Sequence, residues 1–216
     1  MSGPDSPVIG VDHAPSRWSP WWLASGALFI ASALLAAFRS LPGSLDLGAL
    51  SGVSTAVTLT FSLALVAAGV GAARHDDTLR LPRAAIISLF LLAVWLPVAP
   101  PALTASFGIA SAAPLYLNAL VELGLSGAIV AGVLRSPLPK PWRFIPAIAL
   151  AAVVFGSLLQ GAFLSGSVTD QGAMILVSNV LTLARILATG ALGAVALRAA
   201  RSRAGSVVVF GGSVAS

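Results

Sequence analysis

Along this chain, long apolar runs alternate with short breaks rich in charge, proline or glycine. The first run, about 21–38, ends at Arg39 and the turn-forming Leu41-Pro42-Gly43-Ser44. The second, 51–73, stops at Arg74-His75-Asp76-Asp77, with Arg80 and Arg83 close behind. From Ala84 to Leu134 the only charged residue is Glu122, and that stretch has room for two spans of roughly 20 residues each. Pro97, Pro100, Pro101 and Pro114 place the break between them, so 84–98 and 115–134 are predicted as the third and fourth spans, joined by an uncharged loop. Arg135, Pro137, Pro139, Lys140, Pro141 and Arg143 form a stiff basic connector before the fifth run, 144–164. A short turn carrying Asp170 leads to the sixth, 173–197, which Arg198, Arg201 and Arg203 close. Residues 1–20 and 198–216 are predicted as tails; the first contains Pro4, Pro7, Pro15 and Pro20 and lacks the pattern of a secretory signal. Trp18, Trp21 and Trp22 stand where the first run begins, as amphipathic rings do at headgroup depth.

The fold class expected is therefore all-α: a polytopic integral membrane protein, a bundle of six transmembrane helices forming one domain over 21–197. Composition agrees, since 57% of residues are hydrophobic and 9% charged, a balance a water-soluble globule would not show. There are no cysteines, which removes disulfides, thiolate metal sites and cysteine nucleophiles. The net charge of +5 does not point to nucleic acid, because the basic residues lie in clusters between apolar runs and form no single face. Their predominance as arginine, with abundant Ala, Gly, Leu and Val, suggests a high-GC bacterium.

Charge also sets the expected orientation. With six spans, Arg17, Arg74, Arg80, Arg83, Arg135, Lys140, Arg143 and the three tail arginines share one side, while the other receives Arg39 alone. The positive-inside rule then puts both termini in the cytoplasm, with the cell membrane as the location and the lipid bilayer as the main partner.

Candidate chemistry lies on faces within the spans. Ser178, Thr182, Arg185 and Thr189 are spaced four, three and four, one stripe along span six, with Asn179 beside it. On span four Asn118, Glu122 and Ser126 recur every four residues; on span two Ser51, Thr55, Thr58 and Ser62 make another stripe; span five contributes Ser157 and Gln160. Glu122 falls about 10 Å and Arg185 about 18 Å below the outer ends of their spans, at 1.5 Å per residue. Helical side chains lean toward the helix N-terminus, the outer side for both, and arginine leans further, so the two charges are expected to meet. A guanidinium keeps its charge, and an intramembrane charge costs roughly 2.5 to 3.5 kcal/mol on insertion scales, which a carboxylate partner relieves.

Gly124-Leu125-Ser126-Gly127 resembles the GxSG nucleophile motif of rhomboid intramembrane proteases, which implies Ser126 as a nucleophile. That chemistry needs a base on another helix, and the only histidines are His13 and His75, both in predicted cytoplasmic segments, so the resemblance is not adopted. His75, Asp76 and Asp77 read better as a solvated loop than as a metal site. A phosphate-cradling glycine loop with a following lysine is absent. The chain is thus expected to be neither an enzyme nor a cofactor protein. Two functions remain. One is a small-solute carrier or channel-like protein whose outward-facing polar site is Glu122 and Arg185, lined by Asn118, Ser126, Gln160, Ser178, Asn179, Thr182, Thr55 and Thr58. The other is a non-catalytic subunit or scaffold that packs against a membrane-protein partner or a second copy, with the pair as a packing clamp and Gly124, Ala128 and Gly132 as a small contact face.

Overall fold

The computed structural model describes residues 19–40, 47–74, 81–107, 113–162 and 171–201. The described residues form helices and turns without strands: α1 (Pro20–Arg39), α2 (Leu47–Ala73), α3 (Arg83–Phe107), α4 (Ala113–Leu134), a 3-10 turn (Trp142–Phe144), α5 (Ile145–Ala162) and α6 (Gln171–Arg201). Five of these, α1 to α4 and α6, are long and apolar enough to cross a membrane. The tails at 1–18 and 202–216, the Leu41–Ser44 turn, the His75-Asp76-Asp77 cluster, residues 108–112 of the loop and the Asp170 turn lie outside the described residues.

Two helix ends run past the sequence expectation, each for its own reason. Pro97, Pro100 and Pro101 do not end α3, which runs on to Phe107. In water an interior proline costs roughly 3 kcal/mol. In hydrocarbon a helix that stopped there would strand several backbone N–H and C=O groups with no water to bond them, whereas continuing forfeits one donor per proline. Likewise α6 does not stop at Leu197 but carries Arg198 and Arg201 in its last turn. There the guanidinium groups complement the helix dipole and their aliphatic stems cover apolar surface.

Each helix packs on its neighbours in sequence, and α6 closes on α1, so the six make a ring; α4 and α5 touch least. Neighbours run antiparallel, as the contacts of α1 record. Its Ser25, Ser32 and Arg39 side chains donate in turn to the Ala64 carbonyl (2.9 Å), the Val57 carbonyl (3.1 Å) and the Ser54 hydroxyl (2.9 Å), one helix rising as the other falls. On the other flank of α1, Gly26 and Gly193 of α6 face each other. A Cβ on Gly26 would stand 3.0 Å from the Gly193 carbonyl oxygen, and one on Gly193 would stand 3.1 Å from that of Gly26. Only glycine lets two helix backbones approach this closely.

The antiparallel order collects Arg74, Arg83, Arg135, Lys140, Arg143, Arg198 and Arg201 at one end of the bundle, where α1 starts and α6 ends, and leaves Arg39 at the other. At the basic end Arg74 lies over the Trp21 ring, 4.9 Å from its centroid. The buried core also gathers in this half: Trp22 and Phe29, Ala64 to Ala72, Leu81 to Ala93, Val133, and Val195 to Ala200. Phe29 meets Phe61 edge to face at 5.2 Å.

Candidate functional site

Inside the ring lies a cavity of about 490 Å³, lined by all six helices. On α1 its wall runs from Trp22 through Phe29, Ser32 and Ala36 to Arg39. At 1.5 Å per residue that is about 25 Å of depth. Most of the wall is apolar, and its polar groups are Ser32, Arg39, Thr58, Glu122, Ser126, Thr182, Arg185 and Thr189.

Glu122 is held by a short chain of donors. Asn118, one turn earlier on α4, donates from Nδ2 to Glu122 Oε1 at 2.9 Å. The Asn118 Oδ1 in turn accepts from the indole Nε1 of Trp95 on α3 at 2.8 Å. An amide has one donating and one accepting end, and here each end has the only kind of partner it can use, so the orientation of Asn118 is fixed from both sides. Glu122 is the only carboxylate among the described residues. Across the cavity, α6 supplies Thr182, Arg185 and Thr189. The Arg185 charge acts on the Glu122 carboxyl through space. The two threonine hydroxyls donate within their own helix, Thr182 to the Ser178 carbonyl at 2.8 Å and Thr189 to the Arg185 carbonyl at 2.9 Å. Their oxygen lone pairs stay available on the wall.

Of the residues picked out from the sequence, Glu122, Arg185, Ser126, Thr182 and Thr58 meet on this one wall, and Asn118 stands behind Glu122. Thr55, Ser178 and Asn179 do not join them; all three are exposed, with Thr55 donating back to the Ser51 carbonyl at 3.1 Å. The reason is depth: Thr55 lies nearer the N-terminal end of α2 than Thr58, and Ser178 and Asn179 nearer that of α6 than Thr182, beyond the residues that line the cavity on each helix. The Gln160 side chain lies outside the described residues, as do both histidines that bear on Ser126. The small face of α4 is also only partly used. A Cβ on Gly132 would press on Ala85 of α3 at 2.7 Å, while one on Gly124 or Gly127 would meet nothing within 4 Å.

Three contributors were not anticipated from the sequence. Ser32 and Arg39 belong to a seven-residue spacing with Ser25, which could have been read as one face of α1. Trp95 carried no such signal, since an aromatic within an apolar run reads as lipid-facing or core until its neighbour is known.

The helices and the cavity together define a class: an all-helical protein with membrane-length spans around a partly charged interior. No family model, curated protein or solved structure matches this chain.

Proposed function

We propose that this chain is a six-span protein of the bacterial cytoplasmic membrane that takes a small solute into its central cavity, as a carrier or channel-like protein. The observation that carries the proposal is the placing of Glu122 and Arg185, opposite charges from α4 and α6, on the wall of one cavity. Two charges at mid-depth are costly in a bilayer, and a packed clamp would close around them. Here they border open volume instead.

Beside the five membrane-length helices, α5 completes the six: its 18 residues reach about 27 Å, close to the hydrocarbon thickness. Both termini are placed in the cytoplasm because the basic end of the bundle, where α1 starts and α6 ends, is the end that positive-inside retention favours. Arg39 and the mouth near it then face outward. A reporter active only outside the cytoplasm, fused at Ser216, is expected to stay silent; activity there overturns the orientation.

The function is tested with the purified chain alone in proteoliposomes. Saturable solute flux that is lost in Arg185→Leu supports a carrier. One observation favours the second reading, a subunit or scaffold: Gly124 and Gly127 leave open space on α4 where another helix could pack closely. A stoichiometric partner copurifying through α4, with no flux from the chain by itself, would establish that reading in place of the first.

A further inference from the structure

The cavity is unusual for a polar-solute site in how its wall is divided. Its charged groups and the hydroxyls of Ser32, Thr58, Thr182 and Thr189 lie between mid-depth and the Arg39 end, with Ser126 the one lining hydroxyl on the basic side of mid-depth. Toward the basic end it continues between Trp22, Leu81, Leu89, Val133 and Val195, where the indole N–H of Trp22, buried and without a hydrogen-bond partner, is the one polar group among those five side chains. A small hydrophilic solute would gain little from that lower stretch, and water filling it would find fewer polar partners than the two to four an ordered water normally has. An apolar chain would gain from its whole length.

The charges narrow the ligand further. Arg39 and Arg185 are both on the wall and, among the described residues, Glu122 is the one carboxylate that lines it, so the described lining keeps a formal excess of one positive charge. Arg39 is engaged by a neutral group, the Ser54 hydroxyl, at 2.9 Å. A guanidinium so placed has donors in a fork suited to an oxyanion. The volume of about 490 Å³ is within the range of pockets that enclose drug-sized molecules, roughly 300 to 1,000 Å³.

We propose that the ligand is an amphipathic monoanion, a single apolar chain with one oxyanion head, held with its head between Arg39 and Arg185 and its chain directed toward Trp22 and Leu81. This rests on the cavity being a solute site. Glu122 then balances Arg185, so that the site carries one net charge and takes a singly charged head. The hydroxyls of Ser32, Thr58, Thr182 and Thr189 accept or donate around it.

The experiment is equilibrium binding to the purified full chain in neutral detergent, read by native mass spectrometry, with butyrate, octanoate and dodecanoate as probes. Affinity is expected to rise about fourfold for each added methylene. Dodecanol and dodecyltrimethylammonium are expected to bind at least about tenfold more weakly than dodecanoate, because they offer no anion to the guanidinium groups. Arg39→Gln should weaken dodecanoate by about tenfold, and Arg201→Gln at the basic end should leave it unchanged. The chain-length series needs no variant, so it stands even if Arg39→Gln folds poorly. Equal binding of butyrate and dodecanoate overturns the amphiphile while leaving a solute site in place. Tighter binding of the ammonium compound overturns the charge assignment and again leaves a site. Binding of none of the probes overturns the inference, and the carrier reading falls with it only if flux in proteoliposomes is absent as well.

Discussion

The two halves of the bundle solve the same problem in opposite ways. In the half at the basic end, helices touch through small residues: Ala64, Ala85, Ala199 and Ala200 have no exposed surface, and Gly26, Gly69, Gly71, Gly132 and Gly193 each have a neighbour where a Cβ would go. Toward the other end and at mid-depth Gly52, Gly124 and Gly190 face open space, with Gly127 of α4 alone doing so nearer the basic end, and α4 and α6 bring hydroxyls and two charges to a void. Lipid tails are as apolar as leucine, so burying apolar surface does not by itself draw helices together in a bilayer. Close packing and hydrogen bonds must do it. The contrast suggests that the packed half is the anchor and that the cavity half is held open by being attached to it.

The largest effect expected from breaking this contrast is at the α1–α6 crossing. Gly193→Val puts carbon where Ile30 Cγ1 would be 2.8 Å and the Gly26 carbonyl oxygen 3.1 Å from the new Cβ, so backbone as well as side chain must move. Overpacking of this kind costs about 3 kcal/mol, and the melting transition in detergent should fall steeply. Gly124→Val, against nothing within 4 Å, should change it by less than about 0.5 kcal/mol. Equal tolerance of the two would mean that the halves do not differ in packing.

Next in size is the charge pair. Glu122→Leu removes the acceptor of Asn118 and leaves the Arg185 charge without its balancing carboxylate on the wall. A cost of about 2 kcal/mol is expected, read as lower abundance and a lower melting point. Exchanging the charges, Glu122→Arg with Arg185→Glu, should recover most of the abundance but not the flux or the ligand binding. If the exchange restores both, the pair holds helices and does nothing more. Trp95→Phe keeps the ring and deletes the 2.8 Å bond to Asn118, for about 1 kcal/mol. Its sharper reading is functional, because Asn118 then loses one of the two contacts that orient it on Glu122.

How far these features were legible follows the same division. The apolar runs and the clustering of basic residues at one end could be read from spacing alone, and Glu122 and Arg185 line the same cavity. Proline was misleading at Pro97, since its helix-breaking effect is calibrated in water and the solvent here supplies no competing hydrogen bonds. Thr55, Ser178 and Asn179 share or adjoin the stripes of lining residues but lie nearer the helix ends, a matter of depth that spacing around the helix does not reveal, and a hydroxyl tolerates an exposed position by bonding its own backbone, as Thr55 does. On the small face of Gly124, Ala128 and Gly132, Gly132 is packed against Ala85 while Gly124 has open space where a Cβ would go. Which part of a small face is used depends on where the neighbouring helix diverges, and that is a property of the pair.

A smaller effect tests the hydrogen bonds that tie α1 to α2. Ser25 is wholly buried and donates to the Ala64 carbonyl across the interface. Ser25→Ala removes the donor and leaves little void, and that carbonyl keeps its helical partner. Side-chain bonds between membrane helices average about 0.6 kcal/mol and reach about 1.7, so a loss near 1 kcal/mol is expected in the melting transition. The same change at Ser40, whose hydroxyl bonds Ala36 in its own helix end, should be undetectable.

The smallest effect on stability is also the one that separates structure from function most cleanly. Thr182 lines the cavity, and its hydroxyl donates to the Ser178 carbonyl one turn back on α6. That bond joins no two helices, and the carbonyl it reaches is already a backbone acceptor, so removing it unties nothing. Valine has nearly the same shape and the same χ1 preferences, and a helix in hydrocarbon tolerates it well. Thr182→Val should therefore shift the melting transition by less than about 0.5 kcal/mol. Flux and dodecanoate binding should nevertheless drop, because the substitution takes one oxygen from the wall where the head is held. A clear loss of stability with binding intact would place Thr182 in the packing of α6 and shrink the polar part of the cavity to Arg39, Glu122 and Arg185.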